Sequence, residues 1–230
     1  MALSSRAAQP VRGVAPTFGK GILVSDSSCP QALRAAYAQT WLNVRYALLG
    51  SAARILLVCA VDNTADAAPL AANLAILAAE EGERTLLVDA DPHTPSLAGL
   101  FNLNLNAGAG FASLVRQDSA NVGSMIQESA VPNLALLGGG DSLGVPGGIG
   151  RAPGLGEVMM RLKTSADRLV LIGSPILTQI DSLDLCPLVD GVLVAVHPGR
   201  THREDAGRAK ELLARVHAPV LGVVLTRQAG

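Results

Sequence analysis

A chain of 230 residues with 49% hydrophobic and 16% charged residues is long and apolar enough for one α/β domain, with or without a tail, and is not a disordered polymer. Only 3% of residues are aromatic, so Leu, Val and Ala must fill the core. A formal net charge of −1 and only three lysines (Lys20, Lys163, Lys210) argue against non-specific nucleic-acid binding through a basic face.

No apolar run approaches the ~20 residues of a membrane span, and no apolar signal region opens the chain. Any membrane role therefore goes through a partner. Cys29, Cys59 and Cys186 are odd in number, widely spaced and outside any CxxC pattern, as in a reduced cytosolic protein.

Residues 1–30 mix Ser, Gly, Pro and Ala and read as a leader, partly disordered. Gly13 to Gly19-Lys20 imitates a phosphate loop, but Gly21 stands where Ser or Thr is required and no strand precedes it. The α/β domain is expected over residues 31–230. Gln31–Leu49 predicts a helix with an apolar stripe of Leu33, Tyr37, Trp41, Val44 and Leu48, packed on the sheet or offered to a partner.

The centre of the chain is Arg54 to Phe101. Ile55–Cys59 reads as a strand, Pro69–Glu81 as a helix and Thr85–Ala90 as a second strand ending in Asp89 and Asp91. This is a βαβ unit, whose first turn is where such folds bind phosphate. Leu70, Leu74, Leu77 and Ala78 form the expected buried face, with Asn73 as a polar exception. Pro69 suits a first helical turn.

A working phosphate loop needs glycines, a Lys and a Ser or Thr for Mg²⁺. The loop here is Val61 followed by Asp62, Asn63, Thr64, Ala65, Asp66, Ala67 and Ala68, with none of these at the required places. Asp62 and Asp66 would repel a triphosphate, each by about 1–4 kcal/mol at a few ångströms near a surface.

Downstream, Asn102–Gly110 reads as a loop, Phe111–Gln117 as a short helix and Asn133–Leu137 as a strand. Residues 138–156 hold nine glycines and two prolines and predict a mobile loop near the sheet's active edge. Leu155–Ser165 is an amphipathic helix, its Met159-Met160 pair read as core. Leu169–Ile172 is a buried strand, Asp181–Leu188 a short helix and Gly191–Val196 another strand. Thr201 with Glu204 reads as a capping box opening a helix to about His217. Val220–Leu225 is the last strand. Continuous apolar strands separated by helices predict a mostly parallel, twisted sheet covered on both faces.

The strand ends converge on one crevice. Asp89 and Asp91 either hold Mg²⁺ or water there, or Asp91 caps the turn before Pro92 while Asp89 is left over. The absence of phosphate donors favours the second reading. Arg54 and Arg84 fall at the opposite end of the sheet, and Arg151 in the Gly-rich stretch is the arginine placed to reach. His197 and His202 lack a metal spacing and read as surface histidines.

Leu86-Leu87-Val88-Asp89-Ala90-Asp91, with Pro95-Ser96-Leu97 and Leu100-Phe101, resembles the second Walker-type motif of the bacterial tyrosine kinases. These are the cytoplasmic partners of polysaccharide chain-length regulators, within the MinD/ParA-like P-loop class. Pro187 to Leu193, Pro198 to Thr201, Val220 to Leu225 and Ala71 to Ala75 carry the same resemblance, which covers about Ala35 to Arg227. It implies a P-loop NTPase-like α/β fold.

Aligned on that family, the phosphate-loop Lys position is Ala67, the Ser/Thr is Ala68 and the loop glycines are Thr64 and Asp66. The second metal-holding Asp is Gly173. The adenine-side Asn is Thr226. The charged oligomerisation helix has Ala35, Ala38 and Trp41, and only Tyr37 and Tyr46 stand for the tyrosine cluster. The resemblance thus implies a pseudo-kinase with no catalytic residue (Asp89 and Asp91 vestigial), no metal and no cofactor. The phosphate loop Asp62 to Ala68 and Thr226 would be vestigial as well.

It further implies a protein partner, either a membrane polysaccharide chain-length regulator or an active paralogue, with a homo-oligomer also allowed. The expected place is cytoplasmic, at the inner face of the membrane through that partner. Two alternatives stay open: an active ATPase or tyrosine kinase using ATP and Mg²⁺ through Asp89, Asp91 and Arg151, and a MinD/ParA-like positioning factor.

Overall fold

The computed structural model describes residues 11–14, 22–48, 54–102, 110–116, 122–140 and 148–226. The look-alike loop at 15–21, most of the loop after Asn102, the centre of the Gly-rich stretch at 141–147 and Arg227 lie outside them. The strands are β1 (Val11–Val14), β2 (Ile55–Ala60), β3 (Thr85–Asp89), β4 (Gln127–Glu128), β5 (Leu134–Leu137), β6 (Arg168–Ile172), β7 (Gly191–Val196) and β8 (Val220–Leu225). The helices are α1 (Gln31–Ala47), α2 (Ala68–Glu80), α3 (Leu97–Phe101), α4 (Phe111–Arg116), α5 (Leu155–Ser165), α6 (Asp181–Leu185) and α7 (Arg203–Arg215).

The strands lie in one sheet in the order β1-β8-β7-β2-β6-β3-β5-β4. All pairings are parallel except β4 with β5. β2, flanked by β6 and β7, is buried along its whole length, as its unbroken Ile-Leu-Leu-Val-Cys-Ala requires. One apolar layer lies between the sheet and α1/α2. The other lies against α4, α5 and α7.

The predicted parallel sheet with helices on both faces is therefore observed. β1 and β4 are additions to it. Val-Arg-Gly-Val and Gln-Glu carry no apolar run, and both strands sit at the sheet's edges, where burial asks least of the sequence.

α2 differs from the expected one-sided helix: Ala68 and every residue from Leu70 to Ala79 are buried. The sheet covers one side and α1 the other. A helix apolar all round has to be sandwiched in this way. The α1 stripe lies inward, and Trp41 is 2% exposed, so it belongs to the core rather than to a partner surface. Arg168 places its guanidinium 5.5 Å from the Trp41 ring centre.

Three further readings are corrected. Met160 is exposed while Met159 is buried, because consecutive positions on a helix face different ways. The N-cap of α7 is His202, with Thr201 turned toward the phosphate-loop region. His197 is buried, its Nδ1 3.0 Å from the Pro198 carbonyl.

Candidate functional site

The loop between β2 and α2 is held by its own side chains. Asp62 Oδ1 accepts hydrogen bonds from the Thr64 amide at 2.8 Å and the Thr201 hydroxyl at 3.4 Å. The Thr64 and Thr201 hydroxyls are 3.0 Å apart, and Thr201 Oγ1 also accepts from the His197 amide at 3.1 Å. The loop is thereby tied to the turn after β7.

Asp66 Oδ1 accepts from the Ala68 amide, the first helical residue of α2, at 3.0 Å. The first amides of a helix carry partial positive charge and attract anions. Here a carboxylate of the chain itself answers one of them.

Beside this loop is a cleft of about 320 Å³. Its lining includes Asn63, Asp66, Asp91, Thr94, Ser96 and Gly173. No basic side chain lines it among the described residues. Asp62 has turned away toward Thr201, so the acidic wall consists of Asp66 and Asp91.

Asp91 is 5% exposed and fully engaged. Its Oδ1 accepts from the Ser174 hydroxyl at 2.9 Å and the His93 amide at 3.0 Å, and its Oδ2 from the Thr94 hydroxyl at 2.6 Å. It closes the turn across Pro92, as one of the two sequence readings had it.

Asp89 is not a remnant in an open crevice. It is fully buried and accepts the amides of Ser96 at 2.6 Å, Leu97 at 3.2 Å and Asp91 at 3.3 Å. It nucleates α3. Burial raises its pKa to about 6, partly offset by those three amides.

Gly173, the place the resemblance assigns to a second Asp, follows β6, and its amide donates to the Val58 carbonyl at 2.8 Å. A Cβ there would lie 2.4 Å from Ser182 Oγ and 2.9 Å from Leu57 Cδ1. The Ser182 hydroxyl donates to the Ser174 carbonyl at 2.6 Å. Neighbouring atoms already fill the space a side chain would need.

Arg151 does not line the cleft. It sits in a short turn against α6, where its charge opposes the raised pKa of Asp184. Thr226 donates its amide to the Val196 carbonyl at 2.9 Å, and its own hydroxyl is buried with no hydrogen-bond partner among the described residues.

Sequence reasoning missed Asp181. Its buried carboxylate lies 3.0 Å from His93 Nε2 and accepts the Ile149 amide at 2.8 Å, joining the loop after β3, the end of the Gly-rich stretch and α6. The partners are 88 and 32 residues away in sequence, and no local pattern announces them.

The first helical amide of α2 is bonded to Asp66, no cation lines the cleft among the described residues, and neighbouring atoms fill the space beside Gly173. Among the described residues no cluster of metal-ligating side chains occurs, and no helix is long and apolar enough to cross a membrane.

No family model matches the chain. It is similar to the tyrosine-protein kinase YwqD of Bacillus subtilis, 28% identical over 155 residues, which are 67% of this chain and 64% of that one. It is 26% identical over 201 residues to the succinoglycan biosynthesis transport protein ExoP of Rhizobium meliloti, covering 84% of this chain and 25% of ExoP. It is 22% identical over 204 residues to the tyrosine-protein kinase CpsD of Streptococcus agalactiae, covering 89% and 88%. The chain thus spans just under two thirds of YwqD and a quarter of ExoP.

Among solved structures, the chimerical protein CapA2B2 superposes with a TM-score of 0.84 at 23% identity, covering 96% of this chain and 95% of that one. The Escherichia coli tyrosine kinase ETK domain gives 0.82 at 12%, covering 94% and 89%. MinD of Pyrococcus horikoshii, solved with Mg-ADP, gives 0.59 at 19%, covering 75% and 69%. The chain is a homologue of the bacterial tyrosine kinases, built on the MinD/ParA-like P-loop fold.

Proposed function

We propose that this chain is a catalytically inactive member of that lineage. In this reading it serves as a protein-binding or regulatory component of exopolysaccharide synthesis or export, without ATP or Mg²⁺. The observation that carries the reading is the Asp66 carboxylate on the first amide of α2, in a cleft whose walls, among the described residues, are otherwise acidic or neutral. A polyphosphate would have to displace that carboxylate and then sit beside it and Asp91 with no counter-charge. The kinship to ExoP supports the pathway, and the superposition on CapA2B2 and on a MinC:MinD complex supports protein partners. In this reading the partner is a membrane polysaccharide chain-length regulator or an active paralogue, and the chain works at the inner face of the membrane through it.

Calorimetry with Mg-ATP and Mg-ADP tests the reading. The expected result is no heat of binding. A dissociation constant below roughly 100 μM, about −5.5 kcal/mol, overturns it. The tyrosine-kinase relatives are also consistent with the competing reading, an ATP-dependent tyrosine kinase. Phosphate release that disappears in Asp91→Asn would establish that alternative.

A further inference from the structure

The buried polar exception on α2 has an unusual set of partners. Asn73 is fully buried. Its Oδ1 accepts the Val24 amide at 2.7 Å, and its Nδ2 donates to the Ile22 carbonyl at 3.1 Å. Arg34 of α1 donates from Nη1 to the Val24 carbonyl at 2.6 Å, while its Nη2 is held by Glu80 of α2 at 2.5 Å. Two side chains therefore read three backbone groups of one short segment. Leu23 and Val24 are 6% and 2% exposed, in the same apolar layer as Trp41 and Leu77.

This is how a groove recognises a peptide: main-chain groups are bonded by fixed side chains, and apolar side chains drop into the floor between helices. The segment is joined to α1 by Ser25–Pro30. Of these, Ser25 to Ser28 are exposed, and the backbone bonds are local, the Asp26 amide to the Leu23 carbonyl at 3.0 Å and the Cys29 amide to the Asp26 carbonyl at 2.9 Å. Pro30 is extended, at φ −60° and ψ 135°. Changes of φ/ψ in that connection would carry the segment out of the groove together with β1 upstream of it, giving up the two turn bonds, the Asn73 and Arg34 contacts and the β1–β8 pairing until a second copy restores them. An identical segment on a second copy would remake every contact in the groove, which makes exchange between copies inexpensive.

We propose that the groove between α1 and α2 is a peptide-recognition site and that its occupant exchanges between the chain's own Ile22–Val24 and the same segment of a second copy, giving an arm-exchanged dimer. The groove lies on the α1/α2 face and shares no residue with the cleft lining, so the proposal holds whether or not the cleft takes nucleotide.

The test uses the full chain under reducing conditions. Hydrogen exchange is expected to release the Leu23 and Val24 amides through a local opening at least ~100-fold faster than those of β2. Light scattering is expected to show a dimer fraction that rises with concentration. An excess of a synthetic peptide of Ile22–Pro30 is expected to lower that fraction. The same peptide, fluorescently labelled, should bind saturably, and Arg34→Met, a change at the groove's rim, should weaken it by about tenfold. Protection of Leu23 and Val24 equal to that of β2 overturns the proposal, as does peptide that fails to bind at about 1 mM. Peptide binding to a chain that stays monomeric at every concentration overturns the second copy as occupant.

Discussion

Placing a carboxylate at position 173, where the family resemblance implies one, is the sharpest perturbation of the site. Gly173→Asp places a Cβ 2.4 Å from Ser182 Oγ, 2.9 Å from Leu57 Cδ1 and 3.3 Å from Cys59 Cβ, all of them in the buried interior. Ser182 cannot retreat freely, because its hydroxyl donates to the Ser174 carbonyl at 2.6 Å. Overpacking of this kind costs about 1–3 kcal/mol, and dislodging the buried hydrogen bond adds about 1 kcal/mol. The expected loss is roughly 2–4 kcal/mol, which for a domain of this length lowers Tm by roughly 5–15 °C. The assay is reversible urea unfolding of the parent, Gly173→Ala, Gly173→Asp and Gly173→Asp/Ser182→Gly. Gly173→Ala should show most of the steric cost, and the added Ser182→Gly should recover about 1–2 kcal/mol by making room. None of the variants should be stabilised by Mg²⁺ with ATP. A Gly173→Asp chain within about 0.5 kcal/mol of the parent, or one protected by Mg-ATP, would refute the view that the position has been filled in.

Asp66→Ala removes the carboxylate from the first amide of α2 and should lower stability by about 1 kcal/mol in urea; no change would mean that the contact is incidental. Asn73→Leu strands the Val24 amide and the Ile22 carbonyl and should cost about 2–4 kcal/mol, a loss below ~1 kcal/mol contradicting the assigned clamp. Asp89 gives a pH signature. Its folded pKa, raised to about 6, lies above the unfolded carboxylate value, so its burial is without cost below about pH 4. The cost grows as pH rises through 6, by up to about 3 kcal/mol. Relative to the parent, Asp89→Asn should therefore gain stability between pH 4 and 7, and parallel curves for the two proteins would exclude the effect.

The legible parts of the fold were those where burial dictates composition. β2, β3, β6 and β7 are interior strands, and their branched apolar runs have no other use in a chain of this kind. The loop's departure from the phosphate-loop pattern was legible too, since Thr64, Asp66 and Ala67 stand where that pattern has Gly and Lys. What could not be read was which partners these polar side chains take. Asp66 and Asp62 were seen as repulsion and turn out to be fasteners, one for α2 and one for Thr201. Thr201 looked like a helix cap because the Thr-x-x-Glu pattern is local, whereas its partner Asp62 is 139 residues away. Asn73 and Asp181 act over 32 to 88 residues, beyond any periodicity.

The sheet order also has a consequence for biosynthesis. β2 pairs only with strands contributed more than a hundred positions later, Ile55 against Leu169 and Leu56 against Gly191. On the ribosome that greasy segment emerges early and waits for mates that arrive last. A nascent chain stalled ahead of Val196 should therefore be a client for chaperones and proteases, and the first half of the polypeptide should never mature alone.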